Sequence, residues 1–165
     1  MRMIDPLLAE FSQEMASTRK MLESLPQEQL GWKPHPKSMS LGRLACHIAE
    51  SLKWTGTILN TDGLKLDAGY KPLELKTVKE IVEAFDQNVA AASQAMQGAA
   101  DPLLMQTWTL QWKGQVVFSL PKIAVLRLMI FSHTIHHRGQ LSVYLRLKDV
   151  PLPMVYGPTA DTPMT

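Results

Sequence analysis

Three of the five histidines fall in one stretch, Phe131-Ser132-His133-Thr134-Ile135-His136-His137-Arg138-Gly139-Gln140-Leu141. On a helix, four residues advance about 400°, so His133 and His137 project about 40° apart and stand about 6 Å apart along the axis. Both imidazoles can then reach one point. The apolar residues Leu126, Met129, Ile130, Leu141, Tyr144 and Leu145 recur in a three-four rhythm that passes through positions 133 and 137. The pattern puts the pair on the face to be buried, where ring nitrogens need partners. A divalent metal ion satisfies two imidazoles at once. Two hydrogen-bonded core histidines would satisfy the same pattern.

A metal site needs a third ligand from another helix, and His47 is the candidate. His35 lies between Pro34 and Pro36 in a loop, and His136 projects about 100° away from His137, as a solvated or interface histidine would. Cys46 points about 100° away from His47 and reads as a small buried thiol. Three neutral nitrogens without a thiolate leave at least one position for water, which is catalytic rather than structural stoichiometry. Zinc is the default, while ligand type leaves nickel, iron and manganese open. The motif is not the zinc-protease H-E-x-x-H, because Thr134 stands where the general-base glutamate would be. Glu50, one turn after His47, is a candidate to orient that ligand or accept a proton, against the plainer reading of a solvent-facing side chain. Arg138 is a second candidate catalytic residue, holding an anionic substrate, or else it makes a surface ion pair. Gly139, inside the helix, suggests either close helix approach or room for a ligand.

Four amphipathic helices would position these side chains. Ile4, Leu8, Phe11, Met15, Thr18, Leu22 and Leu25 form the stripe of the first, and Pro34 and Pro36 make the following segment a loop. Ser38 or Ser40 caps a second helix with the stripe Leu41, Leu44, Ile48, Leu52, Thr55 and Leu59. Residues 60–76, with Asn60, Asp62-Gly63, Gly69 and Pro72, read as a long loop. Thr77-Val78-Lys79-Glu80 fits a capping box and opens a third helix with the stripe Val78, Val82, Phe85, Val89, Ala92 and Met96. Trp108–Trp112 and Val116–Phe118 flank Lys113-Gly114-Gln115, which permits a short hairpin or merely an irregular connection. Ser119-Leu120-Pro121 opens a fourth helix that runs to about Leu147, where Pro151 and Pro153 stop it. The expectation is an all-α four-helix bundle with a long crossing connection between helices 2 and 3, in which facing helices can build a metal site.

At 165 residues the chain suits one domain, residues 1–165, with a single core. One cysteine excludes an intrachain disulfide framework, which agrees with a reducing, cytoplasmic setting. The most apolar run is broken by Lys122 and Arg127, so neither a membrane span nor an export signal is expected. Seventeen basic residues against 15 acidic ones, scattered along the chain, argue against nucleic acid as a partner.

The combination Ser40-Leu41-Gly42-Arg43-Leu44-Ala45-Cys46-His47-Ile48-Ala49, then His133-Thr134-Ile135-His136-His137-Arg138-Gly139-Gln140-Leu141, then Tyr156-Gly157-Pro158, resembles the DinB-like (DNA-damage-inducible, YfiT-like) metalloenzyme superfamily in order and spacing over nearly the whole chain. The resemblance implies an up-down-down-up bundle, commonly a homodimer, with a divalent metal on three histidines that match His47, His133 and His137. It also implies, for some relatives, activation of a low-molecular-weight thiol such as mycothiol, bacillithiol or glutathione. The expectation that follows is transfer of a thiol, or of water, to a small electrophilic substrate. A metal-dependent hydrolase uses the same ligands, and a stress-linked metal-binding or interaction module without turnover is the reading from another class.

Overall fold

The structure is a computed structural model that describes residues 1–66 and 71–163. Its helices are α1 (Ile4–Glu23), α2 (Leu41–Ser51), α3 (Trp54–Asn60), α4 (Val78–Gln97), α5 (Asp101–Leu104), α6 (Lys122–Leu126) and α7 (His133–Arg146). The strands are β1 (Gly63–Leu66), β2 (Thr107–Trp112) and β3 (Gln115–Pro121). Helix α1 packs on α4 and α7, and α2 packs on the same two. The core lies between them, with Phe11, Leu22, Leu44, Ile48, Phe85, Ile130 and Leu141 all buried.

Local sequence signals explain the helix starts. Ser40 Oγ accepts the Arg43 N–H at 3.1 Å and caps α2. At α4, Thr77 Oγ1 accepts the Glu80 N–H while Glu80 Oε2 accepts the Thr77 N–H, a complete capping box.

The all-α expectation is corrected: the protein is of mixed α and β structure, with helices beside a three-stranded sheet of order β1-β2-β3. The connection 60–76 is not all loop, because β1 inside it pairs in parallel with β2, Gly63 opposite Thr109 and Leu66 opposite Trp112. Gly69 and its neighbours lie outside the described residues. A Cβ at Gly63 would stand 2.4 Å from the Thr109 carbonyl oxygen, so this pairing needs glycine. Strands β2 and β3 form the hairpin that the sequence permits, and Trp112 pairs with Gln115 across Lys113 and Gly114. Both turn residues have positive φ, 48° and 79°, as a two-residue hairpin with the strands' own twist requires. A bulge lies between Leu110 and Gln111. Trp108 is fully buried and its indole N–H donates to Thr61 Oγ1, joining the sheet to the end of α3.

Two helices differ from the sequence expectation. The second breaks after Ser51 and resumes at Trp54 as α3. Lys122, only 2% exposed, donates from Nζ to the Leu59 carbonyl and so satisfies one of the last carbonyls of α3. The fourth begins after Pro121, which ends β3, and carries a π-helical segment, Arg127–Ser132, between α6 and α7. Its wider i→i+5 winding shifts the helix face. The buried positions run Leu126, Ile130, Thr134, Arg138, Leu141 and Leu145, whereas His133 and His137 stand half-buried beside that face. No helix among the described residues is long and apolar enough to cross a membrane.

Candidate metal centre

Helices α2 and α7 pack together and bring His47 opposite the first turn of α7. His133 Nε2 lies 3.2 Å from His47 Nε2 and 2.9 Å from His137 Nε2. The three rings meet edge to face, with centroids 4.5–5.0 Å apart. Each of the three offers a ligand atom within 4.8 Å of the others, so the trio is compatible with metal binding. Nitrogens at the corners of a tetrahedral zinc site stand about 3.3 Å apart, given Zn–N distances of 2.0–2.1 Å, and the observed spacing is close to that.

The opposite ring nitrogens fix the tautomers. Glu50 Oε1 accepts from His47 Nδ1 at 3.1 Å, and Gln140 Oε1 accepts from His137 Nδ1 at 2.8 Å. Carboxylate and amide oxygens only accept, so both Nδ1 atoms carry a proton, and in the neutral rings both Nε2 atoms present lone pairs. His133 Nδ1 is buried without a well-aligned partner, and the Met129 carbonyl one turn back acts on it only weakly. Lone pairs converging on one point repel each other unless a proton or a cation sits between them, and the donor set therefore fits a borderline divalent metal.

Burial, then the neighbouring His137 and His47, pushes the His133 imidazole down to about 4. Burial also lowers His137, against the Gln140 hydrogen bond that favours its charged form. Both groups resist protonation when folded, while the unfolded chain protonates near the ordinary value of about 6.5. In the metal-free protein, their contribution to stability is complete above about pH 6.5 and is lost as the pH falls through that value toward 4. Urea midpoints measured across this range are expected to fall more steeply for the wild type than for His133→Asn. Equal slopes would contradict the assignment.

Glu50 is buried, 7% exposed, and its carboxylate is bound by more than the His47 ring. Arg43 donates to Oε1 at 2.6 Å and the Leu73 N–H donates to Oε2 at 2.6 Å. The residue thus stands beside a candidate ligand and not in solvent. Outer partners of metal-bound histidines typically contribute 10–100-fold to affinity. Glu50→Gln is expected to weaken zinc binding by about that factor in a competition titration; an unchanged affinity would remove Glu50 from the centre.

Arg138 lies elsewhere. It is 2% exposed, and its guanidinium pairs with Glu14 at 2.6 Å and donates to Thr18 Oγ1, the Glu14 carbonyl and Tyr156 Oη. None of these partners belongs to the histidine trio, and the surface ion pair weighed from the sequence is replaced by a buried one. A Cβ at Gly139 would meet nothing within 4 Å, so no helix approaches it closely. His136 is exposed and stacks edge-on against His137 without joining the trio, and Cys46 is buried. Two neighbours complete the surroundings: Gln140, which the sequence places within one turn of the ligand face, and Trp54, which the sequence reading missed. Gln140 holds His137 from three residues on, and Trp54 stacks on His133 with rings 7° from parallel. Trp54 follows His47 by seven residues, two helical turns, which is the spacing that could have drawn notice to it.

Among proteins of known structure, the chain is similar to a DinB-like protein from Bacillus cereus ATCC 10987. The two are 28% identical, the match covers 90% of this chain and 95% of the other, and the TM-score is 0.68. The DinB-like protein YjoA of Bacillus subtilis shares the fold at 18% identity with a TM-score of 0.71, covering 92% of this chain and 97% of that one. In sequence the chain is 27% identical over 159 residues to the uncharacterized protein YrdA of Bacillus subtilis strain 168, covering 96% of this chain and 90% of the relative. The model of the DinB family matches residues 2–163, and with this match over almost the full length the chain belongs to the DinB family.

Proposed function

We propose that the protein holds a divalent metal on His47, His133 and His137 and uses it to activate a low-molecular-weight thiol, or water, against a small electrophilic substrate. The observation that carries this reading is the convergence of three imidazole Nε2 atoms, two of them with the opposite nitrogen already held by Glu50 and Gln140. A divalent metal so bound lowers the pKa of a thiol or water in its open position. Zinc or nickel suits three nitrogens best, and iron or manganese is served by the same ligand type.

The chain's own residues orient and exclude. Glu50 and Gln140 hold the His47 and His137 rings by Nδ1, which aims both Nε2 atoms at the common point. Trp54 covers one face of His133 and shields it from water. Transfer would form one C–S or C–O bond at the electrophilic carbon and release the leaving group, with the nucleophile's proton passing to a base. Glu50, buried beside His47, is the carboxylate nearest to that task.

The test is a turnover screen of zinc- and nickel-loaded protein with glutathione, bacillithiol and mycothiol and the electrophile monochlorobimane. Metal-dependent conjugation above the uncatalysed rate is expected with at least one thiol. Turnover indifferent to metal, or none with any thiol, would contradict thiol transfer.

A further inference from the structure

One cleft reaches the histidine trio at His133. Its volume is about 380 Å³, and its walls are Trp54, Phe118, Leu128, Met129, Ser132, His133 and His136. These walls come from three parts of the fold. Trp54 starts α3, Phe118 sits on β3, and the rest lie along the π-helical segment and the first turn of α7. Leu128, Met129, Ser132, His133 and His136 share one side of this continuous helical run, whose π segment, Arg127–Ser132, is of a kind frequent at functional sites. Among the described residues, no Asp, Glu, Lys or Arg lines the cleft. Its polar groups besides His133 are Ser132 and His136.

We propose that this cleft seats the substrate and that it selects a neutral, aromatic small molecule over an anionic one. The size supports a small-molecule occupant: an apolar cavity of about 150 Å³ holds benzene, and small-molecule pockets begin at about 300 Å³. A protein partner would need about 800 Å² of surface on each side, far more than this concavity offers. The chemistry supports an aromatic one. Trp54 and Phe118 supply ring faces and edges for offset or edge-on stacking, and Met129 adds a polarizable sulfur. In the metal-free cleft a carboxylate or sulfonate would find only Ser132, His133 and His136 among the walls to receive it. The cleft also reaches His133 itself, so a molecule lodged in it lies against the proposed metal centre. The hairpin that makes the protein mixed α and β is thus what supplies one wall of the cleft.

The inference rests on the proposed function for calling the occupant a substrate, but binding in the cleft does not require metal, so the two can fail separately. The experiment is an NMR titration of the metal-free protein, so that a bound cation does not attract the anionic probe. It follows the Met129 methyl and Trp54 indole N–H signals with 4-methylacetophenone and its anionic counterpart 4-methylbenzenesulfonate, and zinc per chain is measured in parallel on zinc-loaded protein. The neutral probe is expected to shift both signals and to bind at least tenfold more tightly than the sulfonate. Leu128 is 46% exposed, so Leu128→Lys places a charge at the wall without disturbing the core. It is expected to weaken the neutral probe at least tenfold while zinc per chain stays unchanged. Equal binding of the sulfonate, shifts away from the cleft, or indifference to Leu128→Lys would overturn the proposal. So would a change of oligomeric state in Leu128→Lys by sedimentation, which would make the cleft a contact between copies. Loss of zinc from the wild type would instead sink the metal reading and leave the probe result standing.

Discussion

His133→Ala is expected to lower zinc affinity by more than the roughly 10–100-fold associated with losing an outer hydrogen-bond partner, because it removes a ligand and not a supporting group. His133 is the middle nitrogen of the three. Its Nε2 makes both close approaches, at 3.2 and 2.9 Å, so without it His47 and His137 no longer converge on a common neighbour. The substitution should leave the metal-free fold intact, since it relieves repulsion between lone pairs and removes a half-buried ring rather than a core one. Metal content by mass spectrometry, with circular dichroism to confirm folding, reads both effects. Unchanged metal in a folded His133→Ala variant would show that any ion sits elsewhere.

Arg138→Met is expected to destabilise the protein by about 3–5 kcal/mol, the usual cost of leaving a buried charge without its partner. The Glu14 carboxylate is 9% exposed at the side chain and faces Arg138 at 2.6 Å, and only the Tyr156 hydroxyl remains to donate to it. For a chain of this size the loss corresponds to a fall in melting temperature of roughly 6–20 °C. Glu14→Leu combined with Arg138→Met should recover most of the loss, because replacing both members of a buried pair by apolar groups is often neutral or stabilising. Thermal melts of the two single variants and the double variant decide it. A single variant as stable as the wild type would mean that the pair is not buried as described. The same network accounts for the Tyr156-Gly157-Pro158 tail, whose tyrosine hydroxyl reaches back to α1 and α7 through Glu14 and Arg138.

The histidine trio was legible in the sequence because its determinants are local. Four residues on a helix bring two rings to one side, and a stripe on another helix offers the third. The capping box at Thr77 was legible for the same reason, since it is written within four residues, and the cap of α2 was narrowed to Ser38 or Ser40, of which the structure uses Ser40. The sheet was not. Strand β1 is four residues long, sits among turn formers, and finds its partner more than forty residues later in β2, so its pairing is a tertiary fact. The face of α7 was misread because periodicity counts 3.6 residues per turn throughout, whereas the π segment at Arg127–Ser132 winds more loosely and carries Thr134 and Arg138 inward in place of the histidines. That shift leaves His133 and His137 half-buried and so within reach of the adjoining cleft. Arg138 looked like a surface cation beside a ligand, and only the packing of α1 against α7 reveals Glu14 opposite it.

The central claim is that His47, His133 and His137 hold one metal ion per chain. X-ray absorption at the metal edge of protein purified from its native host, together with metal analysis, tests it most directly. The expected result is about one ion per chain with three imidazole nitrogens near 2.0–2.1 Å and lighter-atom ligands completing the shell, without protein sulfur. Substoichiometric metal, or a sulfur ligand implicating Cys46, would contradict it.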